Sequence, residues 1–179
     1  MQIFAETERL ILRELLPADD KGMFDLDSDK EVHRYLGNNP VNHIAQSREI
    51  IESVRQQYTD NGIGRWAVIE KSTNCFLGWA GLKLVKEPTN NHIGFYDVGY
   101  RLIKKYWGKG FATEAAKASL AYGFGTLNLD VIYGMADINN HASRHVLEKA
   151  GLHFIETFDL NGITHSWLTI HKEEWLQVH

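Results

Sequence analysis

Apolar and polar residues alternate in several short stretches of the chain, and each of these stretches predicts a β-strand. Segment 95–103 alternates most regularly, with Tyr100 and Leu102 on its apolar face and Asp97 and Arg101 on the opposite face. The other stretches have similar lengths and are bounded by Gly, Asn, Ser or Asp residues that favour turns. The predicted strands are 9–15, 65–69, 76–85, 95–103, 131–137, 152–158 and 164–170.

Apolar residues three and four positions apart predict helices between these strands. Asn42 and Asn140 stand where N-caps are expected, and Gly62 and Gly151 stand where helices end. The predicted helices are 17–26, 29–36, 43–61, 111–127 and 141–150. This order predicts an α/β (α+β layered) fold with a mixed, mostly antiparallel central sheet. With 179 residues and no repeat or linker, we expect a single domain, 1–179.

The amino-acid composition of the chain excludes only a few classes of function. Hydrophobic residues make up 44% of the chain, charged residues 23%, and the net charge is −4. This balance argues against a nucleic-acid partner, because phosphate neutralisation needs concentrated Lys and Arg. Cys75 is the only cysteine, so no disulfide can form within the chain. No stretch approaches the ~20 apolar residues that span a bilayer, so we expect no membrane partner and a cytoplasmic location.

The segment Y-W-G-K-G-F-A-T-E, residues 106–114, lies between a predicted strand and a predicted helix. Gly108 and Gly110 allow a sharp turn and a close approach of the backbone to a ligand. The helix that follows offers free N–H groups and the positive end of its dipole, which together favour an anion such as pyrophosphate. The spacing excludes a P-loop, and Thr113 excludes a dinucleotide fingerprint. A short G-x-G by itself also occurs in turns that only connect a strand to a helix.

Four segments together resemble the GNAT superfamily of N-acetyltransferases: TERLILR, VGYRL, WGKGFATEA and DINNHASRHVLEKAGL. Within it, the chain is most similar to the RimJ/RimL-like branch of ribosomal-protein alanine N-acetyltransferases. The resemblance extends from about Thr7 to Trp175. It implies a GNAT-like sheet that is splayed in the middle and flanked by helices on both faces. It also implies an enzyme that uses acetyl-CoA as cosubstrate and no metal.

The resemblance assigns the cofactor contacts residue by residue. The pantetheine arm would pair with Arg101, Leu102 and Ile103, and it would pass near Asn139 and Asn140. Trp107 stands where the family has Gln or Arg, so only its backbone is expected to contact the cofactor. The residues expected to hold the pyrophosphate are Gly108, Lys109, Gly110, Phe111, Ala112 and Thr113. From the residues alone, Asn140 is better explained as an N-cap, and only the resemblance favours a cofactor contact.

Acyl transfer from a thioester needs a base for the amine, donors for the oxyanion and an acid for the departing sulfur. Many superfamily members place a Tyr seven residues after the motif Asn, but here that residue is Leu147. Ser143 is the candidate acid by resemblance to the branch, and a purely structural role is equally open. Asp97 is the candidate base, with a solvated carboxylate or a pair with Arg101 as the alternatives. Glu114 is fully explained as a carboxylate at a helix start.

Three functions remain open at this point. The resemblance favours transfer to a protein N-terminal amine, and a small amine such as an amino acid, polyamine or aminoglycoside is the alternative. Leu147 also leaves open a non-catalytic acyl-CoA-binding regulatory module. His141 and His145 are spaced for metal binding on a helix, but they lack a third ligand. Trp79 fits either an acceptor pocket or the core. The sequence also leaves open whether the chain forms a homodimer.

Overall fold

A computed structural model describes all 179 residues. The strands are β1 (Ile3–Glu6), β2 (Leu10–Glu14), β3 (Trp66–Glu70), β4 (Phe76–Val85), β5 (Phe95–Leu102), β6 (Val131–Asp137), β7 (His153–Leu160) and β8 (Ile163–His171). The helices are α1 (Asp20–Asp27), α2 (Lys30–His33), α3 (Ile44–Asn61), α4 (Phe111–Gly125), α5 (His141–Ala150) and α6 (Lys172–Val178). Short 3₁₀ turns lie at Pro17–Asp19 and Lys104–Tyr106.

All eight strands form one sheet in the order β1-β2-β3-β4-β5-β6-β8-β7. Every neighbouring pair is antiparallel except β5 and β6, which are parallel. These two strands meet at a single register pair, Asp97 with Tyr133, whereas β4 and β5 pair along eight positions. Beyond Asp97 the sheet therefore splays, and the predicted mixed sheet with a gap in its middle is confirmed.

Helices cover both faces of the sheet, as the fold prediction required. The larger core lies under α4 and α5, where Leu120 and Phe124 pack with Leu82 and Val98 of the sheet. The smaller core lies under α1 and α3 on the opposite face, around Leu26, Ile51 and Ala67. Because adjacent residues of a strand point to opposite faces, β5 places side chains on both sides of the sheet.

The structure corrects the predicted elements at the two ends of the chain. The strand Ile3–Glu6 was not predicted, because it has only four residues and no fully buried side chain. The helix Lys172–Val178 was also missed, since it buries no residue and so lacks a clear apolar stripe. The predicted helix 29–36 is shorter, ending at His33, and α3 takes His43 rather than Asn42 as its N-cap. None of the helices combines the length and apolar character that a bilayer crossing requires.

Candidate active site

A cavity of about 640 Å³ runs through the splayed part of the sheet, within the ~300–1,000 Å³ typical of small-molecule sites. One half lies on the α4 and α5 side and is lined by residues 106–108, residues 110–113 and the start of α5. The other half lies on the α1 and α2 side and is lined by residues 31–32, residues 34–36, Arg65, Trp79 and one face of β5. The cavity therefore gives access to β5 from both faces of the sheet. We refer to these parts as the cofactor half and the acceptor half.

The glycine turn has the backbone geometry that the sequence predicted. Gly108 has φ +71° and Gly110 has φ +82°, values in the left-handed region where a side chain is strained. Gly110 is the N-cap of α4, and the helix begins at Phe111. The first N–H groups of α4 lack partners within the helix, so they are available to an anion at the cofactor half.

A set of contacts that we call the N-terminal clamp fixes this turn to the start of the chain. The carboxylate of Glu114 accepts hydrogen bonds from Thr7 Oγ1 (2.5 Å), from Arg9 N (3.1 Å) and from Arg9 Nε (2.7 Å). Arg9 also donates from Nη1 to the carbonyl of Lys109 at 3.0 Å. Burial opposes ionisation of Glu114, but the hydrogen bonds from Thr7 and Arg9 outweigh it and lower its pKa. Glu114 therefore holds the start of α4 to the N-terminal part of the chain, in addition to stabilising the start of the helix.

The end of β5 presents backbone groups to the gap in the sheet. The Ile103 N–H donates to the Leu77 carbonyl of β4 at 2.9 Å. Since successive residues of a strand point their backbone groups to opposite sides, the N–H groups of Tyr100 and Leu102 face the gap. The Trp107 indole donates to the Leu102 carbonyl at 2.8 Å. The side chain of Trp107, not only its backbone, therefore shapes this edge.

Ser143 sits in the first turn of α5, beside the phenol of Tyr100. The Tyr100 hydroxyl donates to the Ser143 carbonyl at 2.6 Å and lies 3.1 Å from Ser143 Oγ. Burial raises the pKa of Tyr100, and the neighbouring Asp97 charge adds to the rise, so the phenol stays protonated. Asn140 Oδ1 accepts from Ser143 N at 3.1 Å, which confirms the N-cap and leaves the Asn140 amide N–H groups free.

Asp97 is not a solvated strand carboxylate, because only 7% of the residue is exposed. It forms a hydrogen-bonded ion pair with Arg65, and Arg65 also donates to the Asp97 carbonyl. Burial raises the pKa of Asp97, while the Arg65 guanidinium opposes the rise. The alternative pair with Arg101 is wrong, since Arg101 binds Asp27 instead. Gly99 gives Arg65 its room: a Cβ there would lie 2.6 Å from Arg65 Nη2.

The cavity gathers most of the predicted site residues but not all of them. Those that line it are Asp97, Arg101, Leu102, Trp107, Gly108, Gly110, Phe111, Ala112, Thr113, Asn140 and Ser143. Three do not. Lys109 instead directs its carbonyl to Arg9, and Ile103 packs against the smaller core. Asn139 lies in an exposed turn, where its N–H donates to Asp137 Oδ1 at 2.8 Å.

Sequence reasoning missed three side chains of the site, namely Tyr100, Arg65 and the indole of Trp107. Tyr100 was placed on the apolar face of its strand, which is correct, but nothing in that pattern shows that its hydroxyl meets α5. Leu147 is fully buried, and a Cβ on its neighbour Gly134 would lie 2.9 Å from it, so this position is part of the core. No three His, Cys, Asp or Glu side chains are grouped as metal ligands would be.

Comparisons with known proteins agree with this geometry. Residues 9–153 match the family described as Acetyltransferase (GNAT) domain. An uncharacterized N-acetyltransferase, p20 of Bacillus licheniformis, is 31% identical over 143 residues, covering 80% of this chain and 78% of that protein. The crystal structure of a GNAT-family acetyltransferase from Bacillus anthracis has a TM-score of 0.79 and 25% identity, covering 97% of this chain and 99% of that one.

Two further relatives differ in what they acetylate. A putative ribosomal N-acetyltransferase of Bacillus subtilis, YdaF, is 26% identical, with 94% of each chain covered. Spermidine N(1)-acetyltransferase of Escherichia coli is 27% identical, covering 90% of this chain and 89% of that one. These two similarities are comparable, so the acceptor is not assigned by them. The family match and the glycine turn at the splayed sheet agree, and the chain belongs to the GNAT family of N-acetyltransferases.

Proposed function

We propose that this enzyme transfers the acetyl group of acetyl-CoA directly to a primary amine, and that the acceptor is an α-amine at the N-terminus of a protein or peptide. The observation that carries the proposal is the cavity that reaches β5 from both faces of the sheet. A thioester in the cofactor half and an amine in the acceptor half would then meet at the gap. Neither substrate has to leave before the other binds.

The cofactor half fits the chemistry of CoA. The glycine turn and the first N–H groups of α4 suit a pyrophosphate, since they combine open space with unpaired donors. The gap-facing backbone groups of Tyr100 and Leu102 suit the amides of a pantetheine arm. The arm would form hydrogen bonds along the edge of β5, as an added strand does. Asn140, whose amide N–H groups are free, lines the same cavity.

The chemical step needs three groups, and each has a candidate at the gap. The N–H of Leu102 or Tyr100 serves the oxyanion, because it points into the gap without a partner from β4. Ser143 protonates the departing sulfur, and Tyr100, bonded to Ser143, holds that hydroxyl in place. Asp97 receives the amine proton, directly or through a water. Its burial makes it more basic than an exposed carboxylate, although Arg65 limits this effect.

The choice of an α-amine follows from the shape of the acceptor half. Its rim includes the exposed residues Arg34 and Leu36 together with Leu160 and His165 of the β7–β8 hairpin. An opening between two separate elements suits the end of a longer chain. The relative described as a putative ribosomal N-acetyltransferase is in line with such an acceptor, and a RimJ/RimL-like role is the form of the proposal that we favour. The spermidine-acetylating relative makes a small amine the second candidate.

The test is an acetyl-CoA turnover screen that measures released free thiol. The acceptors are peptides with free or acetylated N-termini, single amino acids, spermidine and an aminoglycoside. We expect turnover with free N-terminal peptides and none with their acetylated forms. Turnover with spermidine alone would replace the peptide acceptor by a polyamine. Binding of CoA without transfer to any amine would instead identify a non-catalytic regulatory module.

A further inference from the structure

The side chain of Arg101 points into the acceptor half, away from the expected path of the cofactor. Arg101 shares its face of β5 with Asp97 and Gly99, and all three line the cavity. Residues two apart on a strand lie about 6.6 Å apart and point to the same face. The Arg101 side chain therefore leaves β5 about 6.6 Å beyond Gly99 on that face. Arg65 fills the space over Gly99, so an amine that reaches the gap beyond it would place its neighbouring atoms beside Arg101.

The bonding of Arg101 leaves most of its donors unused. Its Nη1 donates to Asp27 Oδ1 at 2.6 Å, and its Nε is buried without any partner. A guanidinium has five N–H donors in a fixed planar arrangement, so this one contact leaves several donors free. The side chain is 22% exposed, and Arg101 lines the cavity.

Asp27 and Trp79 fix where this guanidinium points. Asp27 is 1% exposed, and its Oδ1 also lies 3.1 Å from His33 Nε2 of α2. The Trp79 ring has Arg101 at 5.0 Å and Arg65 at 5.3 Å from its centroid, both within reach of a cation–π interaction. Arg65, however, uses its guanidinium on Asp97 and two carbonyl groups. Arg101 is therefore the cation of the pair that keeps free donors.

The acidic groups that line the cavity differ in how far they are already engaged. Asp97 is bound by Arg65, and Asp137 accepts the Asn139 N–H through one of its oxygens. Glu31 lines the cavity and is exposed to solvent. A second ammonium group placed beside Arg101 would meet a guanidinium, whereas a carboxylate in that place would complete the donors that Arg101 leaves free.

We infer that the acceptor is an amine that also carries a carboxylate, and that Arg101 binds this carboxylate in the acceptor half. This inference rests on the proposed function and names its substrate class. Both an amino acid and a peptide with an acidic residue near its N-terminus have this chemistry. Arg101 would contact the substrate but none of the reacting atoms, so it sets specificity and position.

The test compares acceptors that differ only in the carboxylate. The matched pairs are glycine, β-alanine and 4-aminobutyrate with their amides, and N-terminal Asp and Glu peptides with their Asn and Gln forms. For at least one spacing, we expect kcat/KM to be about 10- to 100-fold higher for the carboxylate, the range of one or two charge-assisted hydrogen bonds. Arg101→Lys should reduce this ratio, because the planar pair of donors is lost.

Arg101→Gln alone leaves the buried Asp27 carboxylate without its cation and is expected to lose stability. The double variant Arg101→Gln with Asp27→Asn removes that charge, and its carboxylate-to-amide ratio should fall to about one. Arg48→Gln is the matched control, since Arg48 is an exposed partner of Asp20 and does not line the cavity. Its ratio should equal that of the wild type.

A binding measurement separates this inference from the proposed function. With CoA at saturation, the carboxylate form should raise Tm while its amide does not, and the double variant should lose this difference. If the carboxylate raises Tm but no amine is acetylated, the proposed function fails and the binding site stands. If amines are acetylated with equal kcat/KM for both forms, or if spermidine exceeds every carboxylate, the inference is overturned.

Discussion

Replacing Glu114 by Gln tests the N-terminal clamp, because it removes a charge and leaves the shape of the side chain. Gln still has one oxygen for the Thr7 hydroxyl and the Arg9 N–H, but its amide group turns N–H donors towards the guanidinium. Two short contacts are lost, from Arg9 Nε (2.7 Å) and Arg9 Nη2 (2.6 Å). The Arg9 side chain is 42% exposed, so solvent screening reduces the loss to about 2 kcal/mol.

The loss of the clamp should appear in both stability and cofactor binding. For a chain of this size, about 2 kcal/mol corresponds to a Tm lower by about 4–8 °C. Affinity for CoA should also fall, because Arg9 no longer holds the Lys109 carbonyl in the middle of the glycine turn. Thermal unfolding and calorimetric titration with CoA measure the two effects. Glu148→Gln is the control, since Glu148 forms only an exposed pair with Arg144 one turn away.

The pH dependence of the same variant gives a second check with a defined sign. The folded-state pKa of Glu114 is lowered from its ordinary value of 4.5. The clamp therefore contributes its full stability above about pH 4.5 and loses it as the pH falls through the folded-state pKa. The difference in Tm between wild type and Glu114→Gln should narrow in that acid range. Equal Tm and equal CoA affinity for the Glu114 and Glu148 variants at neutral pH would refute the clamp.

Three other substitutions test the site directly. Gly110→Asp should abolish CoA binding, because it places a strained residue with a negative charge at the anion site (φ +82°); unchanged affinity in a folded variant would remove the pyrophosphate from this turn. Ser143→Ala should lower kcat more than it raises KM, and a change in KM alone would make Ser143 a binding residue. Asp97→Asn should lower kcat/KM by about 10²-fold or more, with a smaller loss at high pH where the amine is already neutral; parallel pH profiles at equal kcat/KM would exclude it as the base.

Local patterns in the sequence were sufficient for most of the fold. Strand β5 and helix α4 were predicted because alternation and an apolar stripe are properties of neighbouring residues. Strand β1 and helix α6 were missed because each buries too little surface to leave a pattern. What stabilises them is pairing and packing with distant parts of the chain, such as Ile3 against Arg13 and Trp175 against the larger core.

The backbone geometry of the candidate site was predictable at Gly108 and Gly110, where the turn and its place before a helix are local features. The site was not predictable where partners lie far apart in the chain. The partner considered for Asp97 was Arg101, four residues further along the same strand, yet its cation comes from Arg65, 32 residues away. Tyr100 and Ser143 meet across 43 residues. Contacts of this kind depend on the register of the strands and the placement of α5, which no local spacing encodes.

Strands β5 and β6 share only one register pair, and this junction divides the sheet into two groups of strands. Within each group, the strands follow one another in the sequence. Strands β1 to β5 follow one another in both chain and space, and β6 to β8 form the second group. Such groups tend to behave as separate cooperative units in native-state hydrogen exchange. The seam between them is the place where opening breaks the fewest bonds. A cofactor arm lying along β5 in this seam would bridge the two units, so CoA should slow amide exchange on both sides of it and make unfolding more cooperative.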